Sequence, residues 1–279
     1  MVRGSFEEEP HQPVRMIASD LDGTVLGPDF RFRPRTVEAI TAARDAGIHV
    51  VFVTGRPKRW LHPLHEQLED VGVVICSNGA VVYDVPTERV IETSLFHVRE
   101  AFGIMGEISE LFPRTLYAAE TLDRVFTDPG WSHSDRMEIF PVEEAPIREC
   151  LPRGIGVVKL LAKLDGAVPN EYFEHVRDLV DGRLAVTHSV AAAPLVEIGQ
   201  RGLTKARTLE RYAAERGITS QHVMAFGDMP NDLEMLTWAG HGYAMADGHP
   251  GVVTAVGRTA PPFTEDGVAQ VIENYLDHA

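Results

Sequence analysis

The sequence predicts an α/β fold, a parallel-sheet core interrupted by an inserted α+β unit. Three observations carry that prediction. Short, fully apolar runs break off at polar clusters, as residues 14–19 do before Asp20, which is how buried parallel strands read. Helix-like segments separate these runs, and a glycine closes the first of them. The alternation weakens from about Ser94 to Val190 and then returns, which points to an insertion. The expected division is core over 1–93, insertion over 94–190 and core again over 191–279, with 1–13 as a disordered tail.

Taken in order, residues 14–19 form a strand that opens into Asp20-Leu21-Asp22-Gly23-Thr24. Val37, Ile40 and Ala43 set a helix over 36–46 that stops at Gly47. A strand over 49–53 ends at Thr54-Gly55-Arg56, a helix follows over 57–69, and a third strand, 73–76, ends at Ser77-Asn78-Gly79. Residues 81–83 and 89–92 flank a turn and read as a hairpin. Within the insertion, helices are expected near 98–111 and 171–180, and strands near 157–162 and 184–187. After Val196-Glu197-Ile198 come a helix over 204–216, a strand over 223–226, and helices over 231–238 and 268–276.

Composition bounds the function. The chain has 279 residues, 44% hydrophobic and 24% charged, enough for a packed core and one or two domains. A formal charge of −15 with no Lys/Arg run disfavours nucleic acid and acidic membrane partners. Cys76 and Cys150 lie far apart without C-x-x-C spacing and read as reduced thiols. No stretch approaches the ~20 apolar residues of a membrane span. Glu7, Glu8 and Glu9 stand where a signal peptide needs an apolar run, so a cytoplasmic protein is expected.

The polar clusters at the ends of strands and helices carry the chemistry: Asp20 with Asp22, Thr54, Lys205, and Asp228 with Asn231 and Asp232. In open parallel sheets ligands bind beyond the carboxyl ends of the strands. Cleaving a phosphate monoester requires a nucleophile, neutralisation of the phosphoryl oxygens and a proton for the leaving alkoxide. Asp20 and Asp22, two apart on an extended segment, can point the same way, and Asp228 adds a hard oxygen ligand suited to Mg2+. Lys205 supplies positive charge, and Thr54 a hydroxyl donor.

These four motifs, in this order, resemble those of the haloacid dehalogenase superfamily. The insertion after the third strand and Ser77-Asn78-Gly79-Ala80 further resemble its Cof-type branch, whose core is Rossmann-like and whose insertion is an α/β cap. The resemblance implies an Mg2+-dependent phosphatase with an aspartyl-phosphate intermediate. Asp20 would be nucleophile and metal ligand. Asp22 would be general acid/base and would give the metal its backbone carbonyl. Asp228 would be the other protein ligand. Thr54, Gly55, Lys205 and Asn231 would hold phosphate or substrate, with Asp232 supporting from behind. The sequence departs from the family at Ala206, where glycine is usual.

The partner implied is a small phosphorylated metabolite such as a sugar phosphate or nucleotide-type cofactor, with monomer or dimer left open. A sugar phosphomutase on the same core and a non-catalytic phospholigand sensor are the alternatives. Each motif also has a plainer interpretation: Asp20 and Asp22 as a solvated turn, Thr54 as a helix cap, Lys205 as a solvated helix residue. Their joint occurrence favours the site. Arg56 and Asn78 remain open between substrate contact and a surface pair or a turn. His62 and His65 read as a solvated face. Trp131, His133 and Arg136 fit either substrate contact or loop packing. No dinucleotide or P-loop motif occurs.

Overall fold

The structure, a computed structural model, describes residues 13–61, 64, 67–68, 72–131, 142–180, 182–188 and 193–278. Expectations for the tail over 1–12 and for His62, His65, His133 and Arg136 lie outside the described residues.

Along the chain run β1 (Met16–Ser19), α1 (Pro34–Asp45), β2 (His49–Val53), β3 (Val73–Cys76), β4 (Val81–Asp84), β5 (Arg89–Thr93) and β6 (Phe96–His97). Next come α2 (Val98–Leu111), β7 (Leu116–Glu120), β8 (Val125–Thr127), β9 (Val142–Glu144) and α3 (Ile147–Cys150). They are followed by β10 (Gly156–Val157), β11 (Lys159–Lys163), α4 (Pro169–Val180), β12 (Ala185–His188) and β13 (Leu195–Gly199). The last elements are α5 (Lys205–Ala214), β14 (Val223–Gly227), α6 (Leu233–Trp238), β15 (His241–Met245), α7 (Pro250–Val256), β16 (Thr259–Ala260) and α8 (Gly267–His278).

Contacts divide the chain into two compact units. The first comprises Met1–Val53, Gln67–Val74 and Lys205–Ala279. Its strands run parallel in the order β16-β15-β14-β1-β2. β1 is central, with Ser19 paired to Phe226 on one side and to Phe52 on the other. All four β1 residues and all five of β14 are buried, the signature of a parallel sheet covered on both faces. Pro34 opens α1 with a preset φ where no N–H is needed, and α1 packs on α8.

The second unit comprises Thr54–Glu66 and Ile75–Thr204. β4 and β5 form the expected antiparallel hairpin. A six-stranded sheet follows in the order β12-β13-β11-β7-β8-β9. Tyr117, Ala119, Leu160, Ala162, Val196 and Ile198 send alternate side chains into a core shared with Ile104 and Ile108 of α2 and Val176 of α4. On the alternate positions Ala118 and Leu161 pack with Trp131, so Trp131 takes the packing role.

The expected boundaries differ from this division on both sides. Residues 54–66 and 75–93 group with the second unit, and that unit continues past 190 to Thr204. β13 is the physical reason, because it pairs antiparallel with both β11 and β12. Val196-Glu197-Ile198 alternates apolar and charged residues, the pattern of an antiparallel strand with one buried face rather than of a core strand covered on both. Of the helix expected over 57–69, the described residues show a 3-10 turn, Lys58–Trp60, and a helical Leu64, while 62–63, 65–66 and 69 lie outside the described residues. β15, β16 and α7 have no counterpart in the sequence pattern, being short and carrying Gly242 and a polar start. No helix among the described residues is long and apolar enough to cross a membrane.

Candidate active site

β1 ends at Ser19, and the next residue, Asp20, stays attached to the sheet through its N–H, which donates to the Phe226 carbonyl at 2.9 Å. The chain then doubles back at once. Val25 and Leu26 donate their N–H groups to the Leu21 carbonyl at 3.0 and 2.8 Å, and Gly23 N–H donates to the Leu26 carbonyl. Gly23 adopts φ +79°, in the left-handed region that favours glycine. A Cβ there would stand 2.5 Å from Asp228 Oδ2, so glycine is what lets this turn approach the loop after β14.

That loop brings Asp228 and Asp232 in. Asp232 is fully buried and accepts the N–H groups of Asp228 and Met229 on Oδ2, at 3.2 and 3.0 Å. The N–H of His249 in turn donates to the Asp228 carbonyl at 2.7 Å. Lys205, the first residue of α5, is 2% exposed. Its ammonium donates to Asp20 Oδ1 at 2.6 Å and to Asp232 Oδ1 at 2.7 Å. Ala206, the departure from the family pattern, is a buried second residue of α5, and the helix forms over it.

Asp20, Asp228 and Asp232 each offer a carboxylate oxygen within 4.8 Å of the others. Three carboxylates thus face one ammonium in a buried place, and the charges do not balance. Burial pushes the Asp20 carboxyl up; Lys205 pulls it down, and Asp232 and Asp228 push it up further. Asp228 is raised to about 6, chiefly by burial and then by Asp232, against the pull of Lys205. Burial opposes the Lys205 ammonium, yet Asp20 and Asp232 outweigh it and its pKa rises.

This donor set fits a small divalent cation. Hard carboxylate oxygens are what Mg2+ binds, and the excess negative charge is what a cation would neutralise. Asp228 Oδ1 is buried and has no hydrogen-bond partner, which is costly unless something else occupies it. Asp232 has both oxygens engaged by Lys205 and by backbone N–H groups. Asp20 and Asp228 are therefore the two with a spare oxygen.

Asp22 and Asn231 also belong to the first unit, and both side chains are exposed. The Asp22 carboxyl stands outside the three-carboxylate group, near enough to Asp228 to raise its pKa. Thr54 and Gly55 belong to the second unit. There Thr54 is buried, and its Oγ1 accepts the Arg56 N–H at 3.1 Å, which leaves the hydroxyl hydrogen free to donate elsewhere. Arg56 is buried. Cys76 is buried and its thiol is pushed up by burial, as a core thiol should be.

A family model described as haloacid dehalogenase-like hydrolase matches residues 17–272. The chain belongs to that family. The haloacid dehalogenase-like chain is 31% identical to the 5-amino-6-(5-phospho-D-ribitylamino)uracil phosphatase YitU of Bacillus subtilis, over 94% of this chain and 97% of that one. It is 28% identical to the pyridoxal phosphate phosphatase YbhA of Escherichia coli, over 94% and 98%. Among solved structures, SMU.1108c of Streptococcus mutans superimposes with a TM-score of 0.78 at 27% identity, covering 95% of this chain and 99% of that one. The chain is a phosphatase-type enzyme of the Cof-type branch.

In this haloacid dehalogenase-like enzyme the sequence motifs named Asp20, Asp228, Asp232 and Lys205, which the structure brings together, and Asp22, whose carboxyl stands outside that group. They missed His249, whose backbone N–H holds the Asp228 loop. The only available signal was Asp247-Gly248-His249-Pro250, a turn before a helix, which says nothing about what the turn touches.

Proposed function

We propose that this enzyme hydrolyses the phosphate monoester of a small metabolite through a phosphorylated Asp20, with Mg2+ as cofactor. The observation that carries the proposal is the buried Lys205 ammonium joining Asp20 to Asp232, beside an Asp228 oxygen that has no partner. A lysine fixed against Asp20 favours its ionised form against the opposing effect of burial and orients it, as a nucleophile needs.

Asp20 attacks phosphorus through a carboxylate oxygen, and the bond to the ester oxygen breaks. Asp22 gives its proton to the departing alkoxide, a contribution of typically ~10²–10⁴-fold. Asp22, now ionised, takes a proton from water; the water oxygen attacks phosphorus, the bond to Asp20 breaks, and inorganic phosphate leaves. The exposure of the Asp22 side chain suits a group that meets both a leaving alcohol and water. Thr54, Gly55, Lys205 and Asn231 hold phosphoryl oxygens. Mg2+, held by Asp20, Asp228 and the Asp22 backbone carbonyl, would supply charge neutralisation for the phosphoryl oxygens. Asp232 holds Lys205 and the Asp228 loop.

Small phosphorylated metabolites are the substrate class because the chain's relatives include phosphatases named for two such compounds. A sugar phosphate or nucleotide-type cofactor is the finer expectation, and the second unit is proposed as the cap. The test is phosphate release from p-nitrophenyl phosphate and a metabolite panel, with Mg2+ or with EDTA. Wild type is expected to turn over only with Mg2+, and Asp20→Asn to be inactive. Full activity of Asp20→Asn would refute the nucleophile.

A further inference from the structure

Residues 77–79 of the second unit hold a backbone that few sequences tolerate. Ser77, Asn78 and Gly79 stand consecutively in the left-handed region, at φ of 50°, 55° and 108°. Two of the three carry a Cβ, which this region disfavours. The Ser77 hydroxyl adds a second cost, being buried without a hydrogen-bond partner. Strain of this kind persists only where the surroundings impose it, and it concentrates where a group must be held in place.

The turn is locked onto the loop that carries Thr54. Asn78 N–H donates to the Thr54 carbonyl at 3.0 Å, and Ser77 N–H donates to the Arg56 carbonyl at 2.9 Å. Thr54 N–H donates to the Ile75 carbonyl at 2.8 Å, just before the turn. Asn78 Oδ1 lies 3.2 Å from where a Cβ on Gly55 would be. Every residue from Thr54 to Arg56 is therefore met by the strand end and turn over 75–78. Within the loop, the Arg56 N–H fixes Thr54 Oγ1 as acceptor, which sets where its own hydrogen can point. The φ of Asn78 sets the angle between the peptide whose N–H holds the Thr54 carbonyl and the chain that continues into Gly79, so a right-handed φ would force one of the two to move.

We infer that Asn78 is a positioning residue. Its left-handed backbone, more than its amide group, aims the Thr54 hydroxyl at the phosphoryl oxygen. The inference rests on the reading of Thr54 as a phosphate ligand. Asn fits the role because it tolerates this conformation better than other non-glycine residues, and glycine would tolerate it at no Cβ cost.

The experiment compares full-length wild type, Asn78→Ala and Asn78→Gly with Mg2+. It reads kcat and KM for p-nitrophenyl phosphate, the inhibition constant of inorganic phosphate, and the melting temperature. Asn78→Ala is expected to raise KM and the phosphate inhibition constant together, by several-fold, the margin by which asparagine outranks other Cβ-bearing residues at positive φ. Asn78→Gly is expected to return both to within about threefold of wild type, because it keeps the backbone and loses only the amide. A melting shift in Asn78→Ala with both constants unmoved would mean a merely structural turn and overturn the inference. So would an Asn78→Gly as impaired as Asn78→Ala, which would assign the effect to the side chain. Should Asn78→Ala fail to fold, Gly55→Ala provides the second variant. Its new Cβ presses on Asn78 Oδ1, and adding Asn78→Gly should recover phosphate inhibition; no recovery would count against the coupling. Wild type that releases no phosphate from any substrate would instead defeat the functional reading itself.

Discussion

Lys205 is the residue on which the first unit's charge arrangement turns. It is 2% exposed and joins two carboxylates that would otherwise repel each other. Lys205→Met should destabilise the protein by about 3–5 kcal/mol, the cost of leaving buried charge uncompensated. Adding Asp232→Asn should recover part of that loss, since it removes one of the stranded charges. Urea melts of the single and double variants check this, and a double variant no more stable than the single would contradict it. Gly23 is the second sensitive position. Gly23→Ala puts a Cβ 2.5 Å from Asp228 Oδ2 and imposes a left-handed Cβ cost. The Mg2+ concentration for half-maximal activity should rise at least about tenfold, equivalent to ~1.4 kcal/mol at a metal ligand. An unchanged Mg2+ requirement would show that Asp228 tolerates displacement.

At the scale of elements, the sequence pattern and the structure agree where burial is strong and part where it is weak. The apolar runs of β1, β2 and β14 were legible because covered parallel strands have no polar alternation to confuse them. α2 was legible from end to end, because Val98, Ala101, Ile104, Met105 and Ile108 repeat at helical spacing and are all buried. Ile104→Ala should therefore cost about 2–5 kcal/mol of stability, whereas Ile91→Thr on exposed β5 should stay within ~0.5 kcal/mol. Denaturant titration separates the two, and equal effects would sink the assignment of α2 to a packed core. β13 was not placed in its sheet by the sequence pattern, which marked Val196-Glu197-Ile198 only as the point where the alternation returns. Its register with β11 and β12 depends on partners 32 to 40 and 8 to 14 residues away, respectively, and local pattern carries no such information.

For the whole molecule, the formal charge of −15 is concentrated to most effect where Asp20, Asp228 and Asp232 share one ammonium. A cation that binds this group in the native state, and finds no such group in the unfolded chain, must stabilise the protein by mass action. With Mg2+ at about one hundred times its dissociation constant, the gain is about 2.7 kcal/mol. Melting in MgCl2 should exceed melting in NaCl of matched ionic strength, and Asp228→Asn should lose most of the difference. Equal melting in both salts would mean the carboxylates hold no cation. All the residues in this test lie in the first unit, so the second unit's unfolding should respond less.

What the sequence determined by itself was the kind of fold and which residues to propose for the chemistry. Both follow from local features: apolar runs too short and too pure for anything but covered strands, and polar motifs placed at their ends. What only the tertiary structure decided was which charges meet and which strands share a sheet. Asp20 and Lys205 are 185 positions apart and meet at 2.6 Å, while the pairing of β1 with β14 brings the Asp228 loop to the same end of the sheet as Asp20. The same holds for the Asn78 turn, whose left-handed backbone is paid for by hydrogen bonds to Thr54 and Arg56. Long-range proximity and backbone strain are properties of the folded chain as a whole, so no window of sequence contains them.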